Sequence, residues 1–553
     1  MAAVAASGPD DDTITIKWDY SEVLDGPLTV DLEVSGDLTI NAGIDSCDMP
    51  TSYGPLTTLE FASGRGIVVL GGLSATRQLR LDKLHLRPAP GSAGVGRMLD
   101  LSRMVQAYVD RSEIEGGTEA EGGVVRLSGS SVQVTFLGIR PPYNQVHGGI
   151  ATGDGGGILV DGAHLVLDST DVYQNQAGGR GGGIASRNGG SVVLNGSALD
   201  ENQAGVRGGG IDCRSGGSVA LNFSSIRWNQ AGEGGGLSSD GCPVEVGPHA
   251  VLAENVAVAP GGGGGAILAE GGAVVNLVGP SAVDLGVLDP MIGGNQADSG
   301  GGILVRGAGT ILTLADTDVV GNAAATQGGG LAIDAGAEAA LFRTRVRENS
   351  GPAGSAAWVA GPGSTLLLES DLLGANGGGP VLQVESGGLL TVGLVTAVAN
   401  DLAGGVALAA SGTGSSIEVG ASALLDGRVF APPAAGVSQW ADCVVALDLT
   451  DFPVEPRPGS YLQAASSGEV LFQTNGTSAT LRQDSPAIDF CDGSAYLPTG
   501  PDIDGESRVF DHPPAGSSRF GILDLGADES RSVFSANHET GDCSEWSFST
   551  GCS

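Results

Sequence analysis

The sequence predicts an all-β solenoid, a parallel β-helix with three short strands in each coil of about 27 residues, followed by a small β-rich carboxy-terminal module. Three observations predict it. A Gly-Gly-Gly-aliphatic block recurs, ending in Ile158, Ile184, Ile211, Leu237, Ile267, Ile303 and Leu331. An asparagine closes each phrase, at Asn175, Asn202, Asn229, Asn255, Asn295, Asn322, Asn349, Asn376 and Asn400, with spacings of 27, 27, 26, 40, 27, 27, 27 and 24. No stretch between them carries the 3, 4, 7 apolar spacing of a helix.

One period shows how the residues would fold. After Gly181–Gly183 come Ile184-Ala185-Ser186, a turn at Asn188-Gly189-Gly190, Val192-Val193-Leu194-Asn195, Gly196, and Ala198-Leu199-Asp200-Glu201-Asn202. These are three short alternating runs separated by Gly, Asn and Ser corners. Strands this short must pair with the same strand one coil away, at about 4.8 Å. Inward positions then stack Ile and Leu on their counterparts, and the nine asparagines form an internal ladder of side-chain amides. The 95 glycines supply the corners. The glycine blocks lack the Lys-Ser/Thr and the strand-to-helix setting of a phosphate loop.

Taken in order, residues 1–12 read as a residual leader or linker, ending the small-residue run of a removed signal peptide. Residues 13–145 read as irregular first coils and cap, with strand-like alternation at Thr13–Ile16, Leu28–Val30, Leu38–Ile40, Ile67–Leu70 and Leu79–Leu81. Residues 146–430 carry the regular array, whose enlarged interval, including Val287–Met291, is expected to project as a loop. Residues 431–530 form the carboxy-terminal module and 531–553 a disulfide-containing tail. At roughly 26 residues per coil the chain would make about 16 coils and a rod of about 75 Å.

The seven cysteines allow three disulfides. Cys543 pairs with Cys552 and Cys443 with Cys491 by proximity along the chain, Cys47 is left single, and a Cys213–Cys242 bond is uncertain because their offsets from the preceding aliphatic differ by three residues. With 63 acidic against 26 basic residues the formal charge is −37, which argues against nucleic acid or an anionic membrane as partner. No apolar run is long enough to span a membrane as a helix. Aromatics are 4%, few for a sugar-stacking groove.

The Gly-Gly-Gly-Ile/Asn phrase resembles the repeats of chlamydial-type polymorphic outer membrane proteins and of bacterial right-handed β-helix proteins. Downstream, Ser485–Asp489, Asp502–Arg508 and Asp524–Glu529 resemble the choice-of-anchor module that follows β-helices in secreted bacterial proteins, with Cys491 and Asp528 as departures from its commoner form. His538–Ser547 is similar to short tails of proteobacterial exported proteins, with His538 where Phe is usual. The resemblance implies a right-handed parallel β-helix, export, and an extracellular or bacterial cell-surface location, with no activity attached.

Right-handed β-helices include lyases and hydrolases of polysaccharides, so an enzyme is the alternative. Lysine is absent from the array, leaving Arg180, Arg207, Arg227, Arg306, Arg343, Arg345 and Arg347 as candidate bases. Arg180 and Arg207, one period apart, are expected to stack as an exposed pair neutralised by Asp200 and Glu201. No histidine lies in a Gly-His-Gly setting; Val146-His147-Gly148-Gly149 only approaches it. No catalytic, cofactor-binding or metal-ligating set is specified. Ca²⁺ is the one cofactor left open, at Asp502-x-Asp504-Gly505. The expected function is a non-catalytic secreted or surface β-helix that meets a glycan, matrix or cell-surface protein or builds extracellular structure. The alternatives are a polysaccharide lyase or hydrolase, favoured by clustered carboxylates with an Arg between them, and a self-associating filament or coat subunit.

Overall fold

Each repeat lays down one coil whose strands pair, parallel and in register, with the coils before and after it. The computed structural model describes residues 56–487, apart from breaks at 71–76, 93–94, 139–142, 280–290, 403–404, 457–459, 472–480 and 482–484, together with strands at 12–17, 21–24, 28–31 and 38–43. Almost all of it is strand or turn. The one helix among the described residues is the single turn Ser467–Val470.

Within one coil the first face is Ile184–Arg187, the second Ser191–Asn195 and the third Ala198–Asp200. The block-ending aliphatics stack as Ile158, Ile184, Ile211, Leu237, Ile267, Ile303 and Leu331. On the second face Val192 and Leu194 point inward while Ser191, Val193 and Asn195 face out. These inward residues join one continuous apolar core running the length of the solenoid.

The first face forms a sheet of 14 strands, one per coil, so the described solenoid makes about 13 turns. At ~4.8 Å per coil it is roughly 60 Å long. This is fewer than the 16 coils expected, because the early coils are longer: their first-face strands start at Leu28, Ile67, Leu99 and Val125. The second and third faces become one sheet where the 13-residue strand Ser416–Arg428 runs across both. Ser438–Asp448 then pairs along it.

A fourth strand, absent from the sequence reading, follows six of the asparagines, Asn175 to Asn322, and two earlier coils carry its counterpart at Thr118–Glu119 and Ile150–Ala151. It is only two residues long in most coils, as at Gln176–Ala177 and Gln203–Ala204, and eight such strands form their own sheet. Two residues cannot display a period, so this element is invisible to pattern reading.

The three glycines of a block answer three different demands. Gly181 has φ +66°, and a Cβ there would also come within 2.3 Å of the Ile184 carbonyl oxygen. A Cβ on Gly182 would stand 2.5 Å from the Gln203 carbonyl group, and one on Gly183 2.7 Å from the Gly210 carbonyl oxygen and 3.1 Å from the Asn202 amide. Only the first glycine supplies a turn; the others let the next coil and the ladder come close.

All nine predicted asparagines form the ladder. Each side-chain Nδ2 donates to the Oδ1 of the next, at 3.0, 3.0, 3.0, 3.0, 2.9, 2.9, 3.1 and 3.0 Å from Asn175 to Asn400. The same Oδ1 also accepts the backbone N–H of the preceding asparagine, as from Asn202 to Asn229 at 2.9 Å. The 40-residue interval leaves the Asn255–Asn295 bond at 3.0 Å, so the inserted residues leave the stack intact. Asn400 donates to Asp426, which ends the column.

Cys213 and Cys242 are disulfide-bonded, with Cα atoms 6.1 Å apart. Their unequal offsets misled because the bond crosses a corner. The register Val219↔Val244 places Cys242 over Gly217, and a Cβ on Gly217 would stand 2.9 Å from Cys213 Sγ. Glycine there leaves the room that the cysteine one coil on fills. Cys443 is also disulfide-bonded. Cys491, Cys543, Cys552 and Cys47 lie outside the described residues.

Candidate functional site

Two outer surfaces gather chemistry. The first is a trough over the first face. Its floor is the outward second position of each strand, with Leu159, Ala185, Asp212, Ser238, Leu268, Leu304, Ala332 and Trp358 in register. All eight are buried. One wall is the residue before each glycine block and the other is the strand's fourth position.

Ion pairs run along and across the trough. Arg187 makes a bidentate pair with Glu121, both contacts 2.8 Å, and reaches Asp161 at 3.0 Å. Arg214 contacts Asp154 at 2.5 Å and Asp212 at 3.3 Å. Arg180 Nη1 lies 3.8 Å from Asp212, while its backbone N–H donates to Asp154. Further along, Arg207 contacts Glu233 at 2.8 Å and also Glu270, and Arg306 contacts the same two carboxylates at 3.1 and 2.8 Å.

Arg180 and Arg207 therefore pair along their backbones as expected, but their partners differ from those expected. Their side chains turn over the trough and are largely covered. Asp200 and Glu201 sit elsewhere, on the third face and its corner, where Glu201 accepts a bond from Gln174 and Asp200 lies opposite Arg227. Of the other candidate bases, Arg343 makes a bidentate contact with Asp316 and Arg347 pairs with Asp318. Hydrogen bonding to carboxylates raises Arg343 and Arg347 above the usual guanidinium value, the reverse of what a base needs.

Asp212 is the unusual group of the trough. Burial pushes its carboxyl up to about 6, against the opposing pull of Arg180 and Arg214. Its Oδ1, Arg180 Nη1 and Ser238 Oγ are buried polar atoms without a hydrogen-bond partner.

The second surface is the outer side of the third face. His85 lies opposite Glu113, Glu115 opposite His147, and His147 opposite Tyr173 across successive strands. His147 Nε2 is 3.0 Å from Glu113 Oε1, and its ring stacks on Tyr173 with centroids 4.7 Å apart. The bond to His147 holds the Glu113 carboxyl below its usual range. Burial raises Asp171, two strands further along the same column. Further along, Phe223 and Trp228 are exposed at the two edges of this face, with Phe223 stacked on His249 and Trp228 bonded to Glu254.

Sequence reading also missed a second ladder, at the corner before the third face. The backbone N–H of Thr170 donates to Ser197 Oγ at 3.0 Å, that of Ser197 to Ser224 Oγ at 3.1 Å, and that of Thr344 to Asp371 at 2.6 Å. Its signal was present: Thr170, Ser197 and Ser224 are small hydroxyl residues 27 apart. Residues 280–290, where a projecting loop was expected, and Asp502 and Asp504 lie outside the described residues. Among the described residues no helix is long and apolar enough to cross a membrane. No family model and no curated protein matches the chain.

Proposed function

We propose that this chain is a non-catalytic β-solenoid, secreted or carried on a bacterial cell surface, that presents its outer faces to a glycan or a cell-surface protein. One observation carries the reading. Four of the seven arginines that a lyase on this array could use as bases are committed to carboxylates: Arg207 and Arg306 to Glu233 and Glu270, Arg343 to Asp316 and Arg347 to Asp318. Such pairs stiffen the outside of the coil and hold these four guanidinium groups in their protonated form. The exposed Phe223 and Trp228 support a docking role for the third face, since rings of this kind give apolar contact area at low entropic cost. The Cys213–Cys242 disulfide supports an oxidising compartment.

One observation favours the polysaccharide-cleaving alternative. Asp154, Asp161 and Asp212 with Arg180, Arg187 and Arg214 form the acidic cluster with interposed arginine that such an enzyme would need, and Asp212 carries a raised carboxyl and an unpartnered oxygen. The two readings separate when the purified chain, with and without Ca²⁺, is incubated with acidic and neutral polysaccharides and each mixture is run on size exclusion. Intact glycan, whether free or co-eluting with protein, is the expected result. Shortened glycan would overturn the non-catalytic reading and direct attention to Asp212.

A further inference from the structure

We propose that His85, Glu113 and Glu115 form a binding site for a divalent transition-metal ion of the zinc class, with His147 positioning Glu113. The site follows from strand register. His85 and Glu113 are direct partners on neighbouring parallel strands, and Glu115, two residues on, returns to the same outer side. One ligand atom from each of the three lies within 4.8 Å of the other two. His85 Nε2 is 3.1 Å from Glu115 Oε2 and 3.7 Å from Glu113 Oε1. These separations bracket the edge of a tetrahedron with metal–ligand bonds of about 2.0–2.2 Å, which is roughly 3.4 Å.

An ion would take the place of the contact His85 now makes with Glu115 Oε2 and share Glu113 with His147. Arg87, which register places opposite Glu115, turns the other way and donates from both Nε and Nη2 to Glu60 Oε1, at 3.0 and 2.5 Å. Arg87 is thereby hydrogen-bonded to Glu60 rather than to Glu113 or Glu115. His147, on the following strand, contacts the same Glu113 Oε1 at 3.0 Å and is itself fixed by stacking on Tyr173. This is the arrangement by which an outer hydrogen bond orients a metal-ligating carboxylate. His85 is mostly covered while Glu115 is the most exposed of the three, so the site opens toward solvent at Glu115. An imidazole with two carboxylates suits zinc, nickel or copper. Calcium, which takes six to eight oxygens, does not fit three ligands of which one is nitrogen.

The test is calorimetric titration of the full chain, free of any polyhistidine tag, with zinc sulfate and separately with calcium chloride. One equivalent of zinc should bind with micromolar affinity and calcium should not. H85Q and E115Q should each weaken zinc binding at least ~10-fold, and H147F, which removes the orienting bond while keeping a ring against Tyr173, should weaken it by about 10-fold. Absence of saturable zinc uptake below millimolar concentration would overturn the proposal, as would undiminished affinity in H85Q. X-ray absorption on the zinc-loaded wild-type chain tests the site without relying on a variant's folding. It should give an oxygen and nitrogen shell containing one imidazole, and sulfur ligation or a shell without imidazole would overturn the assignment.

Discussion

Asp426 stands where the ladder would have another asparagine, and the substitution changes how the chain responds to pH. Its carboxylate accepts the backbone N–H of Asn400 at 2.9 Å and its side-chain amide at 2.7 Å, yet burial dominates and pushes it up to about 6. A raised carboxyl stabilises the folded chain fully only below its unfolded value, near 4, and that contribution is lost as pH rises through about 6. Asp426→Asn removes the titration while keeping an acceptor for Asn400. Urea unfolding at pH 4.5 and 7.5 should show the variant gaining about 2 kcal/mol on the wild type at the higher pH. An unchanged difference would show that Asp426 does not titrate in this range. The nine asparagines were legible because their spacing is regular. Asp426 was not, because it breaks the residue identity on which the pattern was read. His85, Glu113 and Glu115 were hidden for another reason: no spacing along the chain reveals which residues register brings side by side.

At the scale of the element, the glycine blocks show that one composition can serve several purposes. Gly181 is needed for its positive φ, while Gly182 and Gly183 are needed for the closeness of the next coil. Sequence reading assigned all of them to corners and so recognised the block but not its internal division of labour. The disulfide makes the same point. Offsets counted along the chain left it open, whereas stacking across the corner puts Cys242 over Gly217 and beside Cys213. Its separation of 29 residues closes a loop whose loss should cost about 3–4 kcal/mol. The double variant Cys213→Ser/Cys242→Ser should lower the urea midpoint accordingly, and dithiothreitol should lower the wild type by more than the variant, which keeps only the bond at Cys443. A variant as stable as the wild type would place the bond outside the stabilising framework.

For the whole molecule, the period is read twice. Inside, it stacks aliphatics and asparagines; outside, it brings carboxylates and arginines of different coils into mutual contact, as Arg306 does with Glu233 and Glu270. The fold class was legible because the interior repeat is nearly invariant. The outer surface was not, because many of its ion pairs join different columns: Arg180 and Arg207 share a phase yet turn to Asp212 and to Glu270. The central claim is that the recurring asparagine is a structural seam joining coils rather than a ligand site. Asn229 accepts from Asn202 and donates to Asn255 and to the Leu199 carbonyl, so its removal orphans buried groups on both sides. Each orphaned group costs ~1–3 kcal/mol. In a quasi-one-dimensional array such a break also weakens coupling between the segments it separates. The most direct measurement is therefore the urea unfolding curve of Asn229→Ala beside that of Asn195→Ala, an outward asparagine of the preceding coil. Asn229→Ala should unfold at markedly lower urea in a broadened or split transition, while Asn195→Ala stays close to the wild type. Coincident midpoints and slopes for Asn229→Ala and the wild type would contradict the account.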